Sequence, residues 1–128
     1  MNALLKAKSA YSAAKAPTRT ISDREYDVVA KSTQNLLAAH KTANENKGTE
    51  GFKVLAEALH KNRKMWNIFA ADLMSKDNML PQDVKDNLFY LAEFTNQHTS
   101  KVLSRKANVR ALIEVNMAVL RGLRSGAT

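Results

Sequence analysis

The residues best placed to do chemistry are an asparagine and an Asn-Arg pair that interrupt apolar rows. In "ALIEVNMAVLRGLR", residues 111–124, Leu112, Ile113, Val119, Leu120 and Leu123 recur at helical spacing, and Asn116 falls among them. In "TEGFKVLAEALHKNRKMWNIFAADLMS", residues 49–75, the row Phe52, Leu55, Ala56, Leu59, Trp66, Phe69, Ala70 and Leu73 is broken at Asn62 and Arg63. A buried amide without partners costs about 1–3 kcal/mol, so each asparagine must be bonded. Two arrangements meet that demand. Asn62 and Asn116 bond each other or a nearby carbonyl and fix helix register, as a lone polar residue does in a coiled-coil seam. Alternatively, they offer their amides to an incoming polypeptide backbone.

Other chemistry is thinly provided. His40, His60 and His98 lie on separate helical segments and form no His-Glu-x-x-His pattern, so a metal site is not expected. His98, on an apolar row, reads as a half-buried ring bonded to a neighbouring carbonyl. Asp83 and Asp86 read as solvated charges at a helix start. There is no glycine-rich phosphate loop, nucleophile elbow or Ser/His/Asp arrangement, and cysteine is absent. Neither catalysis nor a cofactor is expected. The stretch "HKNRKMWNIF" sets Lys61, Arg63 and Lys64 beside the single tryptophan, a mixture that can hold an RNA backbone and stack a base. Aromatics, at 6% of residues, are too sparse for a stacking platform, so the basic residues read as a wet helix face and Trp66 as core.

The elements that must position these residues are helical. Four glycines and two prolines leave breaks at residues 16–21, 44–51 and 75–80 and near Ala107, separating about five helical segments. In "ISDREY", Ser22 and Glu25 form a capping box, with Ile21 and Tyr26 as its hydrophobic staple. Tyr26, Val29, Ala30, Thr33, Leu36, Leu37 and His40 follow at helical spacing, to about Asn44. Pro81 suits the first position of the next-to-last helix, and Val84, Leu88, Leu91, Ala92, Thr95, His98 and Val102 form its inner row, broadened by Phe89, Tyr90 and Phe94. Asn108 is placed to cap the last helix. The opening segment carries Leu4, Leu5, Ala7, Ala10, Tyr11 and Ala14 and is weakly amphipathic, so residues 1–20 read as a loosely docked helix.

These segments make an all-α, single-domain helical bundle of 128 residues, large enough to bury a core without metal or disulfide. No stretch approaches the ~18 consecutive apolar residues of a membrane span. The N-terminus lacks a signal-peptide apolar region because Lys6, Ser9 and Ser12 interrupt it, and a cytoplasmic protein is expected. Lys and Arg number 20 against 12 Asp and Glu, a net charge of +8. The basic excess lies in residues 1–20 and 101–124, framing an acidic stretch at 77–93, which would steer acidic partners of any kind.

Three longer stretches carry a family likeness: "HKNRKMWNIFAADL", "DNMLPQDVKDNLFYLAEFTNQHTSKVL" and "VRALIEVNMAVLRGL". Their distinguishing elements are the Asn-Arg pair before Trp66, Asn-x-Leu-Pro at 78–81, Leu-Ala-Glu-Phe at 91–94, His98, Leu-Ile-x-x-Asn at 112–116 and Arg-Gly-Leu at 121–123. Together with "MNALLKAKSAY" and "REYDVVA", the sequence resembles the FlaF family of bacterial flagellar biosynthesis regulators. One departure is Arg105-Lys106, where relatives tend to carry glycine before the last helix.

The resemblance implies a non-enzymatic role in flagellin production and export, as a dedicated chaperone or positive regulator working opposite FlbT, the repressor that acts on flagellin messenger RNA. Flagellin is the expected partner, with FlbT a further one and nucleic acid not expected. Broad apolar rows on several helices suit an amphipathic guest helix, and Met65, Met74 and Met117 adapt to varied surfaces. The expected groove lies near Trp66, Phe94 and the final helix. Trp66 and Phe94 serve there as anchors, and Asn116 and Arg121 orient the guest, unless Asn116 only fixes internal register.

Overall fold

The computed structural model describes residues 23–127, with side chains from Glu25 to Gly122. Four helices and no strand occur among these residues: α1 (Asp23–Glu45), α2 (Thr49–Leu73), α3 (Gln82–Leu103) and α4 (Arg110–Ala127). The all-α class and the breaks between helices match the sequence reading, with four described helices where about five segments were expected. The opening segment lies outside the described residues, as do Ile21 and Ser22 of the expected capping box.

Each helix packs on the next and α4 returns to α1, so α2 and α4 face one another across the diagonal of a four-helix bundle. Short connections make successive helices antiparallel. Two apolar clusters fill the interior. One contains Trp66, Leu73, Val84, Leu88, Leu91 and Val115; the other contains Leu36, Leu55, Leu59, Val102, Leu112 and Ile113. Each helix also carries buried polar residues: Thr33 on α1, Asn62 on α2, Thr95 and Thr99 on α3, and Asn116 on α4. Thr33 and Thr99 donate to carbonyls of their own helices, at Val29 and Thr95. The asparagines bond between helices.

The connections are specific. Between α1 and α2 the backbone turns over residues 46–48, and Asn46 Oδ1 accepts from the Gly48 N–H at 3.3 Å. Pro81 sits one position before its expected place: with φ −58° and ψ 152° it is the N-cap of α3. Its carbonyl accepts the Lys85 N–H at 3.0 Å, so Gln82 opens the helix. Just upstream, Asn78 Oδ1 holds the Leu80 N–H at 3.1 Å, which turns Leu80 into the core. Asn108 Oδ1 accepts the Arg110 N–H at 2.8 Å, the expected support for the start of α4.

The α3–α4 connection explains the family departure at Arg105. The Lys106 N–H reaches the Lys101 carbonyl at 2.8 Å and the Arg105 N–H reaches Val102 at 2.9 Å. This is a Schellman termination, whose left-handed position usually belongs to glycine. Here Arg105 holds it, at φ 61°. A residue other than glycine pays about 1 kcal/mol or more for that conformation. Partial compensation comes from its guanidinium, 4.2 Å from the centre of the Phe52 ring on α2, a contact worth about 0.5–1 kcal/mol at an exposed site. Arg105→Ala loses the contact and keeps the strain; Arg105→Gly loses the contact and the strain together. Urea denaturation should therefore rank the glycine variant about 1 kcal/mol above the alanine variant, with the native chain closer to glycine.

Candidate partner-binding groove and the polar seam

The indole N–H of Trp66 donates to Asn116 Oδ1 at 2.9 Å. Asn116 Nδ2 donates to Asn62 Oδ1 at 2.8 Å, and that oxygen also accepts the Ser32 hydroxyl at 2.9 Å. The direction of this chain follows from chemistry. Indole nitrogen can only donate, so the Asn116 oxygen must face it; the Asn116 amide nitrogen then faces Asn62, which must answer with oxygen. The network ties α1, α2 and α4 together across the bundle. Asn62 Nδ2 remains buried without a partner, a cost of about 1–3 kcal/mol that the packing around it must offset.

Arg63 differs from its sequence reading as part of a wet face. Its Nη2 donates to the Asn96 carbonyl at 3.0 Å and to Ser100 Oγ at 2.7 Å, both on α3. Asn96 Nδ2 in turn donates to Asn67 Oδ1 at 2.9 Å. The interruption at residues 62–63 is thus two seams side by side, Asn62 turned inward and Arg63 turned to α3. Lys61 and Lys64 are exposed, as expected. His98 is half-buried, bonds the Asn108 carbonyl at 2.7 Å and stacks on Phe94 with centroids 5.1 Å apart, so the carbonyl partner expected for it is present.

Of the four residues expected to meet a guest, Trp66 is 2% exposed and Asn116 is fully buried, their polar atoms spent on each other. Neither offers a free surface. Phe94 is half-buried against both apolar clusters, and Arg121 is exposed on α4. The structure joins Trp66 to Asn116 and does not gather the four into one cleft. Two of the four residues expected at the groove thus stand in the core.

An apolar opening lies between α1 and α2 instead. It measures about 440 Å³ and is lined by Val28 and Val29 from α1 and by Met65, Ile68 and Phe69 from α2, with Glu25 and Asp72 at one end. Ile68 is 62% exposed and Val28 48%, beside the half-buried Met65 and Phe69. Large apolar side chains left open side by side, rather than singly, mark interaction surfaces. A smaller hollow of about 220 Å³ shares Glu25, Phe69 and Asp72 and continues over Asp77, Asn78 and Met79, making the rim there acidic. The sequence signal that would have found the groove is Ile68 itself, an apolar residue off the main stripe of α2. Among the described residues there is no group of three or more side chains able to hold a metal ion, and no helix long and apolar enough to cross a membrane.

No curated protein and no solved structure matches the sequence. The family model described as "Flagellar protein FlaF" matches residues 7–123. That span takes in all of α1, α2 and α3, both walls of the groove and all four residues of the polar network. The chain belongs to the FlaF family of flagellar proteins.

Proposed function

We propose that this flagellar protein binds flagellin in the cytoplasm as a non-enzymatic secretion chaperone, shielding flagellin's terminal amphipathic helix and so promoting its synthesis and export. The observation that carries this reading is the open apolar groove between α1 and α2, centred on Ile68 and Val28. An amphipathic helix laid into such a groove contributes its apolar side chains at i, i+3, i+4 and i+7. The family's flagellar role supplies the kind of guest: a polypeptide whose terminal helices find their permanent partners only in the filament.

The test is co-purification of the full chain with flagellin, using intact flagellin and flagellin lacking its C-terminal helix. Ile68→Asp places a charge on the groove wall at an exposed position, where a folding cost beyond about 0.5 kcal/mol is not expected. It should weaken flagellin binding at least tenfold, about 1.4 kcal/mol, with an unchanged melting temperature. Undiminished binding by either the truncated flagellin or the Ile68→Asp chain overturns the reading.

A second reading has an observation of its own. Lys101, Arg105, Lys106 and Arg110 are all exposed around the α3–α4 connection, at the end of the bundle away from the acidic rim. Such a cluster favours a regulator that acts on flagellin translation through FlbT or the messenger RNA without touching flagellin. Phosphate contacts release counterions, so RNA binding would fall steeply with salt. Burial of an apolar helix would tolerate salt and give a negative heat-capacity change.

A further inference from the structure

The walls of the groove are apolar, but its two ends carry opposite charge. Among the described residues that line it and the adjoining hollow, the charged ones are Glu25, Asp72 and Asp77, all at the mouth, where α1 begins and α2 finishes. At the inner end, Lys61 and Lys64 precede Met65 and Ile68 by four residues, which sets each lysine one turn before a wall residue on the same helical face. Both lysines are exposed, as are Asp72 and Asp77. Along α2 the lysines stand roughly 12–17 Å from Asp72, the length of two to three helical turns. The start of α1 and the end of α2 meet at the mouth, so their macrodipoles oppose one another there and the side-chain charges set the sign.

We infer that the groove admits a guest helix in one direction only, parallel to α1, with a basic residue and the guest's N-terminal end at the Glu25, Asp72 and Asp77 mouth and an acidic residue at Lys61 and Lys64; this rests on the groove being a helix-binding site, the reading proposed above. The guest's chemistry is thereby specified: a basic residue at n, apolar residues at n+4 and n+7 and an acidic residue at n+11, all on one helical face. The guest's own dipole, positive at its N-terminus, adds to the same preference. Packing alone gives little direction, since an evenly spaced apolar row offers nearly the same contacts either way round.

The probe is a stapled synthetic helix with its charges at those two positions and an apolar row that reads the same in both directions, spin-labelled at one end or the other. The chain has no cysteine, so the full protein can carry a single label at Met79→Cys or Val54→Cys. Met79 lines the hollow at the mouth and is 74% exposed. Val54, 41% exposed, lies past the inner end, about 27 Å along α2 from Asp72. At low ionic strength, where exposed charges are least screened, spin–spin distances should place the probe's N-terminal label near Met79→Cys and its C-terminal label near Val54→Cys, in at least tenfold excess over the reverse order. Exchanging the charges, with Asp72→Lys, Asp77→Lys, Lys61→Glu and Lys64→Glu together, should invert the order. Equal amounts of both orders overturn the inference, as does an order that the exchange leaves unchanged. Probe binding undiminished by Ile68→Asp overturns it too, because the groove is then not the occupied site. Flagellin is tested apart from the probe. If the probe keeps its order while flagellin binding ignores Ile68→Asp, the polarity stands and flagellin is not the guest; if flagellin binding depends on Ile68 while the probe takes both orders, the chaperone reading stands and the polarity falls.

Discussion

Trp66→Ala is expected to lower the stability of the bundle by about 3–5 kcal/mol, the range for emptying a buried aromatic site. A typical domain has only about 5–15 kcal/mol in all, so a large part of the protein should be unfolded or poorly expressed. Trp66 is 2% exposed, touches Phe69 at 5.8 Å between centroids and holds the donor end of the polar network. The apolar and polar contributions separate in Trp66→Phe. That variant keeps an aromatic body but has no N–H, leaving Asn116 Oδ1 buried without its donor, and about 1–3 kcal/mol should be lost. Chemical denaturation followed by circular dichroism measures both, since the tryptophan itself cannot report on its own removal. At temperatures where Trp66→Phe is folded, its flagellin binding should match that of the native chain. A binding defect without a stability defect would mean that Trp66 meets the guest after all.

Gly51→Ala should be the most damaging small substitution, at about 1–3 kcal/mol, the usual cost of forcing extra volume into a packed site. Two effects oppose one another there. Alanine favours a helix over glycine by about 1 kcal/mol, and Gly51 lies in the first turn of α2. A Cβ at that position, however, would stand 1.8 Å from the Asn46 carbonyl oxygen and 3.2 Å from the Ala43 Cα. Both obstacles are backbone. The end of α1 would have to move by more than 1 Å, and sterics should win. Gly48→Ala is the matched comparison: its nearest neighbour is the Asn46 side-chain oxygen at 3.5 Å, an ordinary contact. Its effect should stay within about 1 kcal/mol, the range of N-cap exchanges between glycine and alanine. Paired urea melts decide the matter, and a Gly51→Ala protein as stable as the native one would show that the α1–α2 turn yields easily.

The helices and their inner faces were legible because periodicity reports burial directly. Every member of the inner row expected for α3 is buried except His98, which is half-buried and bonded to a carbonyl. The Asn62–Asn116 pairing was legible for the same reason: a polar residue in an apolar row has few ways to be satisfied, and one of them is the observed bond. What periodicity cannot report is which helices lie beside each other. The groove depends on α1 meeting α2 along Val28 and Ile68, residues outside the rows that sequence spacing picks out. Trp66 illustrates the same gap. Its type fits a core residue or a partner anchor equally, and only its 2% exposure and its bond to Asn116 separate the two. The left-handed backbone at Arg105 was hidden because its residue type argues against that conformation.

The bond from Ser32 to Asn62 joins the two helices that flank the groove, one turn beyond Val28 and Val29 on α1 and one turn before Met65 on α2. It acts as a rivet at the inner end of the cleft, and through Asn116, itself held by Trp66, the rivet is anchored in α4 across the bundle. A visiting helix consequently meets walls whose spacing is already set, and little ordering entropy has to be surrendered by the host on capture. Cutting the rivet with Ser32→Ala leaves every wall residue in place yet lets the cleft breathe.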